Sequence, residues 1–248
     1  MCSILIYISE NLVLNNIYKL PDVKKPKDCL NCPYRWRYLD VLSDKYIREI
    51  QDNCTIIKYA KGEIICKQGT SVTHALYVAK GMVKLYIEGE KKLILKVIKA
   101  GDYVDLQTLF GDLEYHYSVS AVVDSQICMI DSSVILDIAR NNPEYLYKMT
   151  NAISDASNYI YKKVSSLSRK QLRGRLAETL FYFAEDIFES TTFVLPFSRQ
   201  ELADFTSMSM ENVVRILTEF KKENVIKAKN REIEILQPDT LKRISDLG

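Results

Sequence analysis

The feature that most restricts the fold of this chain is a series of short β-prone runs between Ile56 and Asp131, separated by single glycines. These glycines lie about ten residues apart and are Gly62, Gly69, Gly81, Gly89 and Gly101. Glycine readily adopts the positive φ angles that tight turns between strands require. Short strands at this spacing predict an all-β barrel or roll.

A helical pattern replaces the β pattern after Pro143 and continues for about forty residues. Apolar residues recur on one helix stripe at Leu146, Met149, Ile153, Ala156, Ile160, Val164 and Leu167. Such a stripe must be covered, either by the barrel or by a second copy of the same helix. Because Lys162 and Lys163 flank the stripe, we expect the second copy, and the sequence predicts a homodimer.

Two helix-start signals lie close together near the end of the chain. Ser198 and Glu201 form a capping box, and Ser209 is a second N-cap. The residues expected to be buried by the two helices are Leu202, Phe205, Val213, Ile216, Leu217 and Phe220. Two helices with a short connection predict a helix-turn-helix.

The opposite face of the second helix carries Glu211, Val214, Arg215 and Thr218. An acceptor and a bidentate donor one turn apart are what a helix needs to read base edges in a DNA major groove. We expect Arg215 to contact a guanine and Glu211 a cytosine amino group. The alternative is a plain helical hairpin in which Glu211 and Arg215 pair with each other.

The segment after these helices is predicted to form a β-hairpin wing that turns at Lys229 and Asn230. Between Arg215 and Arg231 there are six basic residues and two acidic ones. The net charge of the whole chain is only +2, so contact with phosphates is expected to be local.

These patterns resemble the Crp/Fnr family of bacterial transcription regulators over nearly the whole chain. The resemblance lies in KGEIICKQGTSVTHALYVAKGMVKLY, GDYVDLQTLFG and SRQELADFTSMSMENVVRILTEFKKENVI. It implies an α+β fold with an N-terminal β-roll, a double-stranded jelly-roll-like sensor domain, followed by a long dimerisation helix and a C-terminal winged helix-turn-helix. The expected boundaries are 1–42 for a cysteine-containing segment, 43–142 for the roll, 143–168 for the dimerisation helix and 169–248 for the DNA-binding domain.

The resemblance also implies the DNA-facing residues. Glu211 and Arg215 match the two main base-reading positions, and Arg199 matches an arginine of the first helix that contacts DNA. Ser207 occupies a turn position that is often glycine, and Val214 stands where relatives have Gly or Ser. The predicted DNA-facing set is Arg199, Ser209, Met210, Glu211, Val214, Arg215 and Lys229. The implied partners are double-stranded DNA with an inverted-repeat operator and RNA polymerase.

Cyclic AMP is not the expected signal. Relatives that bind it hold the ribose with a Gly-Glu pair and the phosphate with an Arg followed by Ser or Thr, whereas this chain has His116 and Tyr117 at the latter place. Residues 102–139 contain no Lys or Arg and seven carboxylates. A buried phosphate there would lack a cation.

The cysteines indicate a second kind of sensor. The oxygen-sensing branch of the family holds an iron–sulfur cluster on three N-terminal cysteines and one roll cysteine. Cys29, Cys32 and Cys128 match three of these positions, but Tyr38 stands where the remaining ligand is expected. A cluster needs four ligands; Cys54 lies beyond a predicted helix and serves only if the chain doubles back, and Cys2 is near the terminus. A cluster, a thiol or other metal switch, and an unidentified small ligand all stay open.

The remaining classes are constrained by composition. No apolar run approaches the roughly 18 residues of a membrane span, and the opening Met1–Ile8 lacks a basic region, so we expect a cytoplasmic protein without a membrane partner. A cupin-like metalloenzyme usually gathers several histidines, and this chain has two. We therefore predict no enzyme activity. The other rival is a β-roll ligand-binding or interaction module without DNA binding.

Overall fold

The computed structural model describes residues 23–24, 28–32, 35, 37–104 and 106–248. Cys2, Met1–Ile8 and most of the predicted 1–42 segment lie outside the described residues. The α+β architecture is confirmed, with a β-roll, a long helix and a C-terminal winged helix-turn-helix in that order.

The strands of the roll within the described residues are β1 (Val23–Lys24), β2 (Cys54–Tyr59), β3 (Ile64–Cys66), β4 (His74–Lys80), β5 (Met82–Ile87), β6 (Leu93–Lys99), β7 (Ser118–Ala121) and β8 (Ser125–Asp131). They form two antiparallel four-stranded sheets, ordered β1-β2-β8-β4 and β3-β7-β5-β6. Val78, Val83 and Ile127 come from both sheets and are fully buried in one core. Burial of β-branched side chains between the two sheets is what the alternating β-prone runs encode.

The helices of the first half surround the roll. They are α1 (Asp44–Asp52), α2 (Gln107–Phe110), α3 (Ser132–Asn141) and α4 (Pro143–Arg169), with a 3-10 helix at Arg37–Val41. Ser43 is the N-cap residue of α1. Pro143 stands in the first turn of α4, where its missing N–H costs no intrahelical bond.

The subunit's own roll buries one part of the apolar stripe of α4, and the other part stays exposed or partly buried. Tyr145 and Met149 are fully buried against the roll, so the prediction that Met149 faces a second helix is wrong. The stripe is wider than a single helix-helix contact, and its inner edge packs on the subunit's own core. Leu146 and Val164 are exposed, Val164 by 59%, while Ile153, Ala156, Ile160 and Leu167 are only partly buried.

The C-terminal half builds a second apolar core, to which Tyr86, Ile94, Val97 and Val122 of the roll also contribute. Its elements are α5 (Leu172–Tyr182), a π-helical turn (Phe183–Ile187), β9 (Thr192–Val194), α6 (Arg199–Thr206), α7 (Met210–Lys222), β10 (Ile226–Lys229), β11 (Glu232–Ile235) and α8 (Pro238–Leu247). The rings of Phe183 and Phe197 stack with centroids 5.2 Å apart, and Phe205 meets both edge-on. These aromatic contacts fix α6 against the end of α5.

The wing is a three-stranded sheet ordered β10-β11-β9. Its hairpin turns at Asn230 and Arg231, one residue later than predicted, because Lys229 still pairs with Glu232. Asn230 has φ 56°, a left-handed conformation that asparagine adopts more easily than lysine does. Among the described helices, none combines the length and apolar character that crossing a bilayer demands.

Candidate DNA-binding surface and sensor site

The capping box of α6 is present as predicted. The Ser198 hydroxyl accepts a hydrogen bond from the Glu201 N–H at 3.1 Å, and the Glu201 carboxylate accepts one from the Ser198 N–H at 2.7 Å. Ser209 caps α7 in the same way by accepting from the Asn212 N–H at 3.3 Å. Two local start signals therefore set the position of both helices.

The turn between α6 and α7 is held by cations from two other helices. Ser207 has φ 50° and ψ 49°, the left-handed conformation that glycine adopts most readily. Lys163 of α4 donates to the carbonyl of Phe205 at 2.6 Å, and Arg175 of α5 reaches the carbonyls of Thr206 and Ser207 at 3.5 Å. The carbonyls at a helix C-terminus lack intrahelical donors, so these cations satisfy them. Sequence patterns gave no sign of either contact.

The titration of Lys163 leads to a pH-dependent stability. Burial lowers the pKa of Lys163 to about 8, against the opposing pull of Glu178. An unfolded lysine titrates near ~10.4, so between these values the unfolded chain binds more protons. The contribution of this group to the free energy of unfolding therefore rises from about pH 8 to ~10.4 and is lost as pH falls through about 8.

Replacement of Lys163 by methionine is expected to remove the increase in the free energy of unfolding that this lysine causes between the two pH values. Urea unfolding at pH 7.5 and 9.5 measures it, with Lys162→Met as the matched control because Lys162 is an exposed neighbour on α4. An equal pH slope in both variants would show that the buried ammonium is not responsible.

The outer face of α7 is exposed as predicted. Glu211, Val214, Arg215 and Thr218 face solvent, and Val214 is 47% exposed. The residues on the inner face, Val213, Ile216, Leu217 and Phe220, are all buried in the domain core. The helix therefore cannot turn this polar face inward without losing its packing.

Arg215 is held in place within its own helix. It pairs with Glu219 at 2.6 Å and donates to the side chain of Asn212 at 3.3 Å. Glu219 is itself held by Arg173 of α5 at 2.8 Å. Among the described ion pairs, Glu211 and Arg215 do not pair, so the alternative that they neutralise each other is not what the structure shows.

Glu211 presents an ionised carboxylate at the start of α7. Hydrogen bonds from its own backbone N–H and from Ser209 lower its pKa. A charged acceptor at a helix N-terminus is also favoured by the helix dipole. Met210 next to it is 42% exposed.

The first helix and the wing are joined at the same surface. The Arg199 guanidinium donates to the carbonyl of Asn230 at the wing tip, at 3.1 Å. The exposed basic side chains of this region are Lys221, Lys222, Lys227, Lys229 and Arg231. Of the two acidic residues of the strip, Glu219 pairs with both Arg173 and Arg215, and Glu223 pairs with Arg173. The other basic side chains of the strip predicted from sequence are therefore not neutralised by its own carboxylates.

A cavity of about 900 Å³ lies between the roll and α4. Its lining includes Leu95, Val97, Val104, Leu106, Ala156 and Ile160. Gln107 of α2 crosses to α4 and donates to the Ser157 hydroxyl at 2.7 Å. Lys96 and Lys99 also line the cavity; they precede residues 102–139, the segment that contains no Lys or Arg. Lys96 lies over the Tyr159 ring, and Lys99 pairs with Glu189.

The pair that replaces the phosphate-binding Arg-Ser does not form a cation site. His116 lies on the surface and pairs with Asp112 at 2.8 Å. Tyr117 is buried in the roll core. The cavity is thus bordered by carboxylates, apolar side chains and engaged lysines.

The predicted cysteines gather near one end of the roll. Cys29 and Cys32 are half-buried, and Cys128 is buried beside Cys54, with which it shares a hydrogen bond. Over the residues that the structure covers, no three His, Cys, Asp or Glu side chains converge closely enough to hold a metal ion. Cys29, Cys32 and Cys128 therefore do not form a ready-made site for one ion, since Cys128 turns towards Cys54.

Comparison with known proteins gives two domain matches. The description "Cyclic nucleotide-binding domain" matches residues 56–142, and "Crp-like helix-turn-helix domain" matches residues 174–244. The chain is 25% identical over 199 residues to the cAMP-activated global transcriptional regulator CRP of Salmonella typhimurium, covering 78% of this chain and 95% of that protein. It is 23% identical over 194 residues to the fumarate and nitrate reduction regulatory protein of Vibrio cholerae, covering 76% and 77%. Both relatives are named as regulators.

Two solved structures share the fold. FixK2 from Bradyrhizobium japonicum superposes with a TM-score of 0.72 at 18% identity, covering 77% of this chain and 96% of that one. A CooA mutant from Carboxydothermus hydrogenoformans gives a TM-score of 0.70 at 20% identity, covering 90% and 98%. The order of roll, long helix and winged domain is common to both.

Proposed function

The chain belongs to the Crp/Fnr family and is a DNA-binding transcription regulator, and we propose that it reads an inverted-repeat operator as a homodimer. The observation that carries this proposal is the bare polar face of α7, from Glu211 to Thr218, opposite a fully buried inner face. A rigid helix with such a face fits the major groove. The four-part division of the chain at residues 42, 142 and 168 is part of the proposal.

The base-reading roles follow the chemistry of the exposed side chains. Arg215 contacts a guanine with its two forked N–H groups, and Glu211 accepts from a cytosine amino group. Val214 faces a thymine methyl group. Arg199, Ser209, Met210 and Lys229 lie around this pair and contact phosphates or sugars, which position the helix without reading sequence.

Two copies of α4 form the dimer. Leu146 and Val164 are the exposed apolar anchors of this contact, with Ile153, Ala156, Ile160 and Leu167 at its partly buried edge. Two recognition helices related by a two-fold axis read half-sites about 10 base pairs apart. RNA polymerase is the second partner, and the protein acts in the cytoplasm, where bacterial DNA is.

The signal is not a cyclic nucleotide. The cavity beside α4 is bordered by Asp102, Asp112 and apolar side chains, and its lysines are engaged elsewhere. A buried phosphate diester needs a paired cation. The volume of the cavity supports a second candidate, a small and largely apolar ligand that replaces the link between Gln107 and Ser157.

The signal that we favour is redox state, read by an iron–sulfur cluster at Cys29, Cys32 and Cys128. The donor set fits because thiolates are the ligands such clusters use. When bound, the cluster supplies a centre that changes with oxidant exposure. The chain's own residues supply the thiols, exclude water and connect the site to α4 through the roll core. A change in the site biases two states of the dimer that differ in the spacing of the recognition helices.

The test combines both halves of the proposal. Protein purified without oxygen is analysed for iron, sulfide and absorbance near ~400 nm, which such centres usually show, and is then used to select operators from random DNA. Footprints on two symmetric half-sites, weakened by air, are expected. Protection of a single half-site contradicts the dimeric reading mode, and iron-free protein that responds to air contradicts the cluster.

A further inference from the structure

We infer that Cys54 is the fourth thiol of the cysteine site, joining Cys29, Cys32 and Cys128, and that the Tyr77 hydroxyl donates a hydrogen bond to the sulfur-rich group they hold. This inference rests on the proposed iron–sulfur function. It identifies the fourth ligand, because the position at which the resemblance implies a cysteine is occupied by Tyr38.

Strand register brings three of these residues to one face of a sheet. In the β2–β8 pair Ile56 lies opposite Cys128, and in the β4–β8 pair Tyr77 lies opposite Cys128. Side chains directly opposite in a ladder, and those two residues along a strand, share a face. Cys54 is two residues from Ile56, so Cys54, Cys128 and Tyr77 project to the same side.

The chain doubles back so that Cys54 meets the N-terminal cysteines. Its strand β2 begins two residues after α1 ends at Asp52. The Cys29 N–H donates to the side chain of Gln51, in the last turn of α1, at 2.8 Å. This hydrogen bond ties the cysteine loop to the segment that leads into Cys54.

The cysteine loop is itself a built structure. The Asp28 carboxylate accepts from the N–H groups of Leu30 and Asn31 at 3.0 and 3.2 Å. Arg35 closes the loop by donating its N–H to the carbonyl of Cys32 at 3.0 Å and its guanidinium to the carbonyl of Leu30 at 3.1 Å. Both thiols are therefore presented from a fixed backbone rather than from a random coil.

The roll core holds several of these side chains together. Cys54, Tyr77 and Cys128 are buried members of one core cluster, and Cys29 packs against that cluster. Cys54 and Cys128 are hydrogen-bonded to each other. The cysteine loop and the two strand cysteines therefore meet at the same part of the core.

Tyr77 supplies an independent sign that something is bound here. Its side chain is 7% exposed, and its hydroxyl finds no hydrogen-bond partner within the part of the chain that the structure describes. Tyr77 lies directly opposite Cys128 in the β4–β8 ladder, and both side chains are buried in the same core cluster. A buried hydroxyl without a partner is unfavourable, and cluster sulfurs are acceptors whose hydrogen bonds tune the redox potential.

The same geometry disfavours a single zinc ion. Zinc needs four ligands about 2.0–2.3 Å from one point, and the described side chains do not converge in that way. In a cluster each thiolate binds a different iron, so the four sulfurs can stand further apart. The donor set therefore favours a cluster over a mononuclear ion.

The test is anaerobic reconstitution of the full-length protein with ferrous iron and sulfide. Iron and sulfide per chain and absorbance near ~400 nm are measured for the unaltered protein, Cys54→Ser and Cys66→Ser. Cys66 is the matched control because it lies in β3 of the other sheet. We expect Cys66→Ser to load like the unaltered protein and Cys54→Ser to retain about tenfold less iron, since three thiols hold a cluster poorly.

The outcomes separate the inference from the function on which it rests. Iron-free unaltered protein overturns the cluster itself, whereas full loading of both the unaltered protein and Cys54→Ser overturns only the role of Cys54. Circular dichroism checks folding, and Cys54→Ala repeats the test with a small apolar residue if the serine disturbs the core. A Cys54–Cys128 disulfide found by mass spectrometry in anaerobic, iron-exposed protein also counts against the inference.

The hydrogen bond from the Tyr77 hydroxyl is tested separately, by the reduction potential of the cluster. Tyr77→Phe is expected to keep its iron while shifting the reduction potential of the cluster, because it removes one hydrogen bond to sulfur. An unchanged potential in loaded Tyr77→Phe rejects the hydrogen bond and leaves the ligand assignment standing.

Discussion

Arg215→Glu is expected to abolish operator binding, with a loss of affinity of at least ~100-fold. A bidentate arginine–guanine contact contributes about 1–3 kcal/mol of discrimination, and each 1.4 kcal/mol is about tenfold. The new carboxylate adds repulsion from the phosphates and lies beside Glu219, which now pairs with Arg215. Fluorescence anisotropy with the selected operator measures the loss.

Two further variants make this test specific. Arg243→Glu carries the same charge change on α8, outside the proposed DNA-facing set, and should bind DNA within a few-fold of the unaltered protein. Arg215→Lys keeps the charge but loses the fork, so it should lose sequence preference more than total affinity. Equal losses for Arg215→Glu and Arg243→Glu would mean that net charge rather than base reading governs binding.

Val164→Glu is expected to dissociate the dimer and, with it, symmetric operator binding. Val164 is 59% exposed on α4, and a two-fold axis would bring the two introduced carboxylates close together in an apolar contact. Desolvating like charges costs several kcal/mol, so the dimer dissociation constant should rise by ~100-fold or more. Sedimentation velocity measures the mass, and footprinting measures the loss of the second half-site.

The control for this variant lies one residue further along the helix. Ser165 is exposed on α4 about 100° around the axis from Val164. Ser165→Glu therefore adds the same charge away from the proposed contact and should remain dimeric. A Val164→Glu protein that sediments as a dimer would place the subunit contact elsewhere.

The parts of the fold that local chemistry specifies could be predicted from the sequence. The capping residues Ser198 and Ser209 fix where α6 and α7 begin, and the spacing of buried residues fixes which face of α7 is bare. Those signals need only a few neighbouring residues. The exposed face of α7 could therefore be predicted from the sequence alone.

The errors arose where distant segments meet. Periodicity could not tell that Met149 belongs to the roll core while Val164 stays exposed, because both occupy one stripe. The approach of Cys54 to Cys128 depends on strand pairing across the roll, and no spacing rule contains it. The contact of Lys163 with the α6 carboxyl end likewise joins two segments that the sequence separates.

The ion pair between Arg215 and Glu219 would compete with DNA for the guanidinium in the proposed complex. On a correct operator Arg215 would exchange a carboxylate for a guanine edge, so the gain would be the difference between two good partners. On an incorrect operator Arg215 would keep Glu219, which Arg173 holds in position, and no replacement contact would form. We therefore expect this ion pair to lower the affinity for DNA and to raise the selectivity between operators.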